Sequence, residues 1–243
     1  MLFVIAAVKG TGNLLSTYRL SFAILGIPAL VTIALVVFSK IKYPHPEMFE
    51  KAEDAPAAFR TQKSFVLYMA AICLFAFGFA DFTLITLHAA KTQAFPTSTL
   101  SLLYAAAMAV DAFAALFFGW LFDRIGLKAL MASTLCSAFF SCFIFLSESP
   151  VLMGIGILLW GIGMGAQESI MKAAVSKIIP RSMRSTGFGI FETGFGIAWF
   201  LGSWLLGALY DLSPVWLSAV SVCVQLLAIV FYGLCIRRQA QER

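Results

Sequence analysis

Seven apolar runs occupy most of this chain, Leu20–Lys40, Ser64–Lys91, Thr97–Phe122, Lys128–Ser147, Pro150–Ser176, Ser185–Tyr210 and Pro214–Ile236. Each is close to the roughly 20 residues an α-helix needs to cross about 30 Å of hydrocarbon. Runs this long, joined mostly by a few residues, leave little material for a water-facing surface. Composition agrees: 61% of residues are hydrophobic and 12% charged, with a mean hydropathy of +0.92, far from soluble averages. The expected fold class is an all-α membrane protein with about seven transmembrane helices. The earlier stretch Leu2–Val8 is too short to span and lacks both a basic start and a small-residue cleavage site. It reads as the stump of a helix rather than a signal peptide.

One connection is long. Residues 41–63, IKYPHPEMFEKAEDAPAAFRTQK, concentrate charge, proline and alanine, as a polar linker between helix groups does. Basic residues in short loops report orientation. Stepping two spans at a time from the linker, one side collects Lys40, Lys42, Lys51, Arg60, Lys63, Arg124, Lys128, Lys177, Arg181, Arg184, Arg237, Arg238 and Arg243, thirteen in all. The other side holds Lys9, Arg19 and Lys91, and Lys172 lies within a span. The linker and C-terminus are therefore predicted cytoplasmic and the N-terminus outside, in an integral protein of a cell or inner membrane.

The net charge of +5 comes from basic residues scattered singly between apolar runs, without the basic, aromatic-laced stripe of a nucleic-acid surface. The five cysteines, Cys73, Cys136, Cys142, Cys223 and Cys235, lie inside apolar runs at no metal-ligand spacing. No metal or cofactor is expected. Glycines crowd the fifth and sixth spans, with Gly161 and Gly165 at small-xxx-small spacing. Such residues serve tight helix packing, or surfaces that slide and bend.

Between the third and fourth spans the chain reads Gly119-Trp-Leu-Phe-Asp123-Arg124-Ile-Gly126-Leu-Lys128. Glycines permit a tight turn, a carboxylate outside a helix can cap or pair with a neighbouring helix start, and Arg124 and Lys128 anchor the loop in the cytoplasm. This stretch resembles the G-x-L-x-D-R-x-G-R-K/R signature of the major facilitator superfamily, matching at Gly119, Leu121, Asp123, Arg124, Gly126 and Lys128, with Leu127 replacing a basic residue. The resemblance implies a gating latch that stabilises the outward-facing state.

It also implies an architecture: residues 64–243 as the C-terminal six-helix bundle, itself a 3+3 inverted repeat; 41–63 as the cytoplasmic linker; and 1–40 as the end of the N-terminal bundle. Leu20–Lys40 would be the sixth helix of that bundle and Leu2–Val8 the outer end of the fifth. The expectation is an N-terminally incomplete transporter, from a fragment, a late start or a split gene. By the family's pseudo-symmetry, the Asp123 loop would then engage a fifth-helix segment outside this chain, leaving the latch without a partner in it.

Ionisable side chains inside spans are costly and mark functional hypotheses. Asp81 and His88 are seven residues apart, on one face of a helix about two turns from each other, with Thr92 extending the stripe. They suit proton relay or substrate binding, or a plain helix-to-helix hydrogen bond. Asp111 sits near the middle of the third span, where nothing in its own helix neutralises it, and is the leading candidate for coupling or substrate contact. Glu168 and Lys172 are spaced for a pair along one helix, with Gln167 beside them. Glu192 falls at a similar depth, so these charges suit a structural network, a cytoplasmic gate or part of a binding site. No aromatic residue is assigned to a substrate.

The leading reading is a secondary carrier moving a small molecule by alternating access. Proton coupling is suggested by the carboxylates, with sodium coupling or uniport left open. The expected partners are the bilayer, the substrate, protons and a separate N-terminal half; a non-transporting fragment or half-subunit is the alternative. A seven-helix receptor is a weaker reading, since the last span lacks the lysine a retinal pigment wants. An intramembrane enzyme ranks lowest, because the spans carry no Gly-x-Ser-x-Gly, His-Glu-x-x-His or paired catalytic aspartate motif.

Overall fold

A computed structural model describes residues 14–44, 63–179 and 183–242. The Leu2–Val8 stretch, Lys9, most of the 41–63 segment, Arg181 and Arg243 lie outside these residues. The chain divides into two compact units, Met1–Asp54 and Ala55–Arg243.

The first unit contains helix α1, Leu14–Lys42, with Pro28 in its interior and Lys40 and Lys42 in its last turn. A proline removes one backbone donor and frees a carbonyl; the Thr32 hydroxyl donates to the carbonyl of Pro28 itself at 2.9 Å. The terminal lysines complement the negative end of the helix dipole.

The second unit is built from α2 (Lys63–Gly78), α3 (Phe82–Lys91), α4 (Thr97–Ile125), α5 (Lys128–Ser137), α6 (Phe140–Phe145), α7 (Pro150–Ile178), α8 (Arg184–Leu212) and α9 (Pro214–Glu242). Among the described residues of the whole chain, seven helical stretches are long and apolar enough to span a membrane. Six of them belong to this unit. Pro150 and Pro214 open their helices, where the missing N–H and fixed φ cost nothing. Observed ends fall within about two turns of those expected from charges and prolines, the ordinary uncertainty of helix boundaries widened by fraying tails.

Two spans expected to be continuous are not. The first span of the unit breaks between α2 and α3 at Phe79–Asp81, and the third breaks between α5 and α6 at residues 138–139. Broken backbone survives in hydrocarbon only when its polar groups find protein partners. At the first break the Ser221 hydroxyl donates to the Gly78 carbonyl at 2.7 Å, and the Trp160 indole N–H donates to the Ala80 carbonyl at 2.9 Å. The donors come from α9 and α7, so tertiary packing holds the break. Before the second break, Ser133 and Ser137 turn their hydroxyls back onto the carbonyls of Leu130 and Thr134, a habit that bends helices.

The interior lies among α2, α5, α6, α7 and α9, where Tyr68, Phe75, Phe79, Leu130, Phe140, Ile144, Ile157 and Tyr232 are fully buried. Helices α4 and α8 expose large apolar side chains, including Phe113, Leu116, Phe200 and Trp204 at two-thirds or more of their surface. A water-soluble protein does not tolerate such a surface; lipid or further helices suit it.

Three glycines show how closely the helices approach. A Cβ at Gly161 or Gly165 on α7 would strike the backbone of Ala107 or Asp111 on α4, and one at Gly202 on α8 would strike the backbone of Phe77 on α2. The small-xxx-small pair is thus a packing seam between two backbones, which is how helices associate where lipid gives no hydrophobic drive. Gly189, Gly196 and Gly207 on α8 face open space among the described residues.

Candidate functional site

The break in the first span sets the site. Asp81 is the residue preceding α3, with extended backbone (φ −65°, ψ 148°) and no side-chain cap bond to its own helix. Its carboxylate instead turns to α8: the Trp199 indole N–H donates to Oδ1 at 2.9 Å and the Ser203 hydroxyl donates to Oδ2 at 2.5 Å. Trp199 and Ser203 are one turn apart, so a single helix face presents both donors. Neither residue was singled out from the sequence. Their signal was two side chains with polar hydrogens at i,i+4 spacing on a glycine-rich span, visible only once a partner acid was known.

On one side of Asp81, α2, α7 and α8 border an open cavity of about 700 Å³ whose lining includes Asp81, Gln167, Glu168, Lys172, Glu192 and Ser203. Five of the expected polar residues therefore meet in one place. Lys172 Nζ lies 3.3 Å from Glu192 Oε1. Of the two arrangements open from the sequence, a pair along one helix and a network that includes Glu192, the ion pair follows the second: Lys172 reaches across to α8. Gln167 is fully buried at the cavity wall, donating to the Thr134 hydroxyl at 2.8 Å and accepting from Tyr232 at 3.4 Å. Much of the rest of the wall is aromatic, from Phe75, Phe191, Phe195, Trp199 and Phe200, with Met164, Met171 and Gly196 completing it. On the other side of Asp81 lies a smaller cavity of about 310 Å³, lined by Ala80, Thr83, Leu84, Leu87 and Leu206. Asp81 and Ser203 line both.

Asp111, the leading candidate from sequence, lies elsewhere. Its backbone is covered by Gly165 in the α4–α7 seam, and its Oδ1 is buried with no hydrogen-bond partner among the described residues. It does not line the larger cavity.

His88 is also separate. Its Nδ1 is 3.0 Å from the Tyr210 hydroxyl of α8, and its ring packs edge-on against Phe145. The seven-residue spacing from Asp81 does place both side chains against α8, but His88 lines a third cavity, with Thr92 and Glu148, beyond the far end of α3. The Thr92 hydroxyl turns back to the His88 carbonyl at 2.9 Å. Nearby, Lys91 lies 3.8 Å from Asp211.

The loop motif divides into distinct jobs. Gly126 closes α4 with φ +61°, a left-handed conformation that favours glycine, and its N–H donates to the Phe122 carbonyl at 2.8 Å. Gly119 sits inside α4, where a Cβ would meet nothing within 4 Å among the described residues; the tight turn belongs to Gly126. Arg124 stacks over Trp120 at 4.0 Å, and Lys128 is the first residue of α5. Asp123 does have a partner in this chain: its Oδ1 is 3.7 Å from Lys177 Nζ at the end of α7. Lys177 also covers the Phe122 ring at 4.3 Å. The family's pseudo-symmetry points to a helix start in the other half; Lys177 is instead a lysine at a helix end in the same half.

A family model described as Major Facilitator Superfamily matches residues 70–243. Among curated proteins, the uncharacterized protein Mb2288 of Mycobacterium bovis and the uncharacterized proteins MT2327 and Rv2265 of two Mycobacterium tuberculosis strains are each 30% identical over 226 residues. Each alignment covers 90% of this chain and 54% of the relative. The chain thus spans about half the length of the curated relatives it matches.

Proposed function

The chain belongs to the Major Facilitator Superfamily, a family of membrane transporters, and is an integral multi-pass membrane protein; on that premise we propose that it carries the C-terminal bundle of a secondary carrier for a small molecule. The bundle works by alternating access, the larger cavity is one wall of the substrate compartment, and Asp81 is the group through which coupling acts. The observation that carries this reading is the position of Asp81. It is the acid that lines cavities on both sides of a helix break, and its two hydrogen bonds tie that break to α8.

Discontinuous helices near mid-membrane are where transporters place ion and substrate contacts, because unwound backbone and a flanking carboxylate supply polar groups in a protein-lined cavity. A change in the charge of Asp81 alters the strength of its bonds to Trp199 and Ser203. That change shifts the balance between α8 held against the break and α8 released. Either substrate or a proton can bias such a two-state element, provided it binds one state better. The basic ends of the spans and residues 41–63 are assigned to the cytoplasmic side by the excess of Lys and Arg there. The facing wall of the cavity is assigned to the part of the relatives that this sequence does not span, in the same polypeptide or in a separate N-terminal half.

Asymmetric labelling tests the reading. Single cysteines at Phe200 and Leu87, in a background lacking the five native ones, report the two cavities in oriented membrane vesicles. A membrane-impermeant maleimide is expected to reach position 200 from the basic face and position 87 from the opposite face, with Asp81→Asn shifting the two rates in opposite directions. Equal shifts of both, or none, would sink alternating access through Asp81.

A further inference from the structure

We infer that the ligand class of the larger cavity is an organic cation with an apolar, aromatic body. The inference rests on the reading of that cavity as the substrate compartment. Three carboxylates, Asp81, Glu168 and Glu192, line it against one ammonium, Lys172, and Lys172 is already engaged by Glu192 at 3.3 Å. The donors that hold Asp81 are an indole N–H and a hydroxyl, both neutral, so they orient the carboxylate without cancelling its charge. Glu168 is exposed toward the space. With three carboxylates against one ammonium, the cleft carries a net negative charge that draws a cation.

The remaining wall is built for the other part of such a molecule. Phe195 and Trp199, both part-buried, follow one another along α8 with ring centroids 5.6 Å apart; Phe200 beside them is exposed, and the buried Phe75 and Phe191 back the wall. Aromatic faces attract a cation through the ring quadrupole and an apolar body through dispersion. A volume of about 700 Å³ suits a ligand of drug size. Other classes fit less well. An anion finds a single, occupied lysine. A polyol needs free amides and hydroxyls, yet Gln167, the amide of this wall, already serves Thr134 and Tyr232, and the Ser203 hydroxyl serves Asp81.

The test uses two probes of nearly equal size and shape and opposite charge, tetraphenylphosphonium and tetraphenylborate. The chain is placed in nanodiscs of zwitterionic lipid, and binding to empty discs is subtracted. Saturable binding of the phosphonium is expected, with none of the borate. Glu168→Gln should weaken phosphonium binding about tenfold, and Lys172→Gln should strengthen it about threefold, as removal of one charge from the cleft requires. Saturable borate binding of equal strength, absence of saturable phosphonium binding, or indifference to both substitutions overturns the inference. A chain that alternates in the maleimide assay yet prefers the borate keeps the carrier reading and loses the cation class. A chain whose two cysteines respond alike loses the carrier reading whatever the probes do.

Discussion

Asp81 and Asp111 are both lone carboxylates in apolar helical spans, and they have opposite surroundings. Asp81 sits at a helix break, accepts two hydrogen bonds from α8 and lines two cavities. Asp111 sits on an unbroken helix, pressed under Gly165, with a buried oxygen that has no partner among the described residues. The contrast teaches that intramembrane charge alone does not identify a site. What separates the two is whether neighbouring helices leave room beside the carboxylate or close upon it. At Asp81 cavities lie on either side of the broken backbone; at Asp111 two backbones touch.

The largest effect that would sharpen this contrast lies in the seam. Gly165→Ala places a methyl against the Asp111 carbonyl of α4, and because the obstacle is backbone the helices must separate, costing about 3 kcal/mol or more, at the upper end of overpacking. Thermal unfolding in detergent should show it, while Gly196→Ala, facing open space among the described residues, does not lower Tm, alanine being the better helix former. Equal stability of the two variants would mean the seam is not closed. Next comes the break: Trp160→Phe removes the donor to the Ala80 carbonyl and is expected to cost roughly 1–2 kcal/mol, the upper range for hydrogen bonds between membrane helices. It should also raise maleimide labelling of a cysteine at Thr83 beside the break.

The direct comparison of the two acids follows. Asp81→Asn should lower stability by about 1 kcal/mol, since it weakens two charge-assisted hydrogen bonds, whereas Asp111→Asn, with no such bonds at the buried oxygen to lose, should be neutral or stabilising. The reverse order in calorimetric or fluorescence-monitored unfolding would break the contrast. The smallest effect is expected at the loop. Lys177→Gln removes an ion pair whose two side chains are each more than half exposed, so its stability cost should stay below about 1 kcal/mol. Its expected signature is a change in cysteine accessibility of the cavity, with Tm barely moved; a loss of Tm rivalling that of Gly165→Ala would recast the loop as a structural clamp.

Much of the fold was legible along the chain because the bilayer enforces it. Spans must be helical, about 20 residues long and bounded by charge or proline, so their number and approximate ends followed from counting. The motif from Gly119 to Lys128 was legible for a different reason: its turn needs a residue comfortable at positive φ, which Gly126 supplies. The candidate site was legible only as an inventory. Gln167, Glu168, Lys172 and Glu192 were all identified and do share a cavity, but which carboxylate Lys172 meets stayed open, since spacing along one helix says nothing of the helix opposite. Trp199 and Ser203 escaped notice because an indole and a hydroxyl are ordinary in a membrane helix until an acid faces them.

The chain's own order of residues settled lipid as solvent, the division into spans and the presence of costly charges within them, because each follows from local length and from the free energy of transfer into hydrocarbon. The break at Phe79–Asp81, the choice of Asp81 over Asp111 as a cavity residue, and the pairing of Asp123 with Lys177 depended on the packed bundle. The reason lies in where the partners are: the donors to Gly78 and Ala80 come from residues 143 and 80 positions away, and those to Asp81 from 118 and 122 positions away. No local pattern encodes contacts at that separation; they exist only where the helices have closed around them.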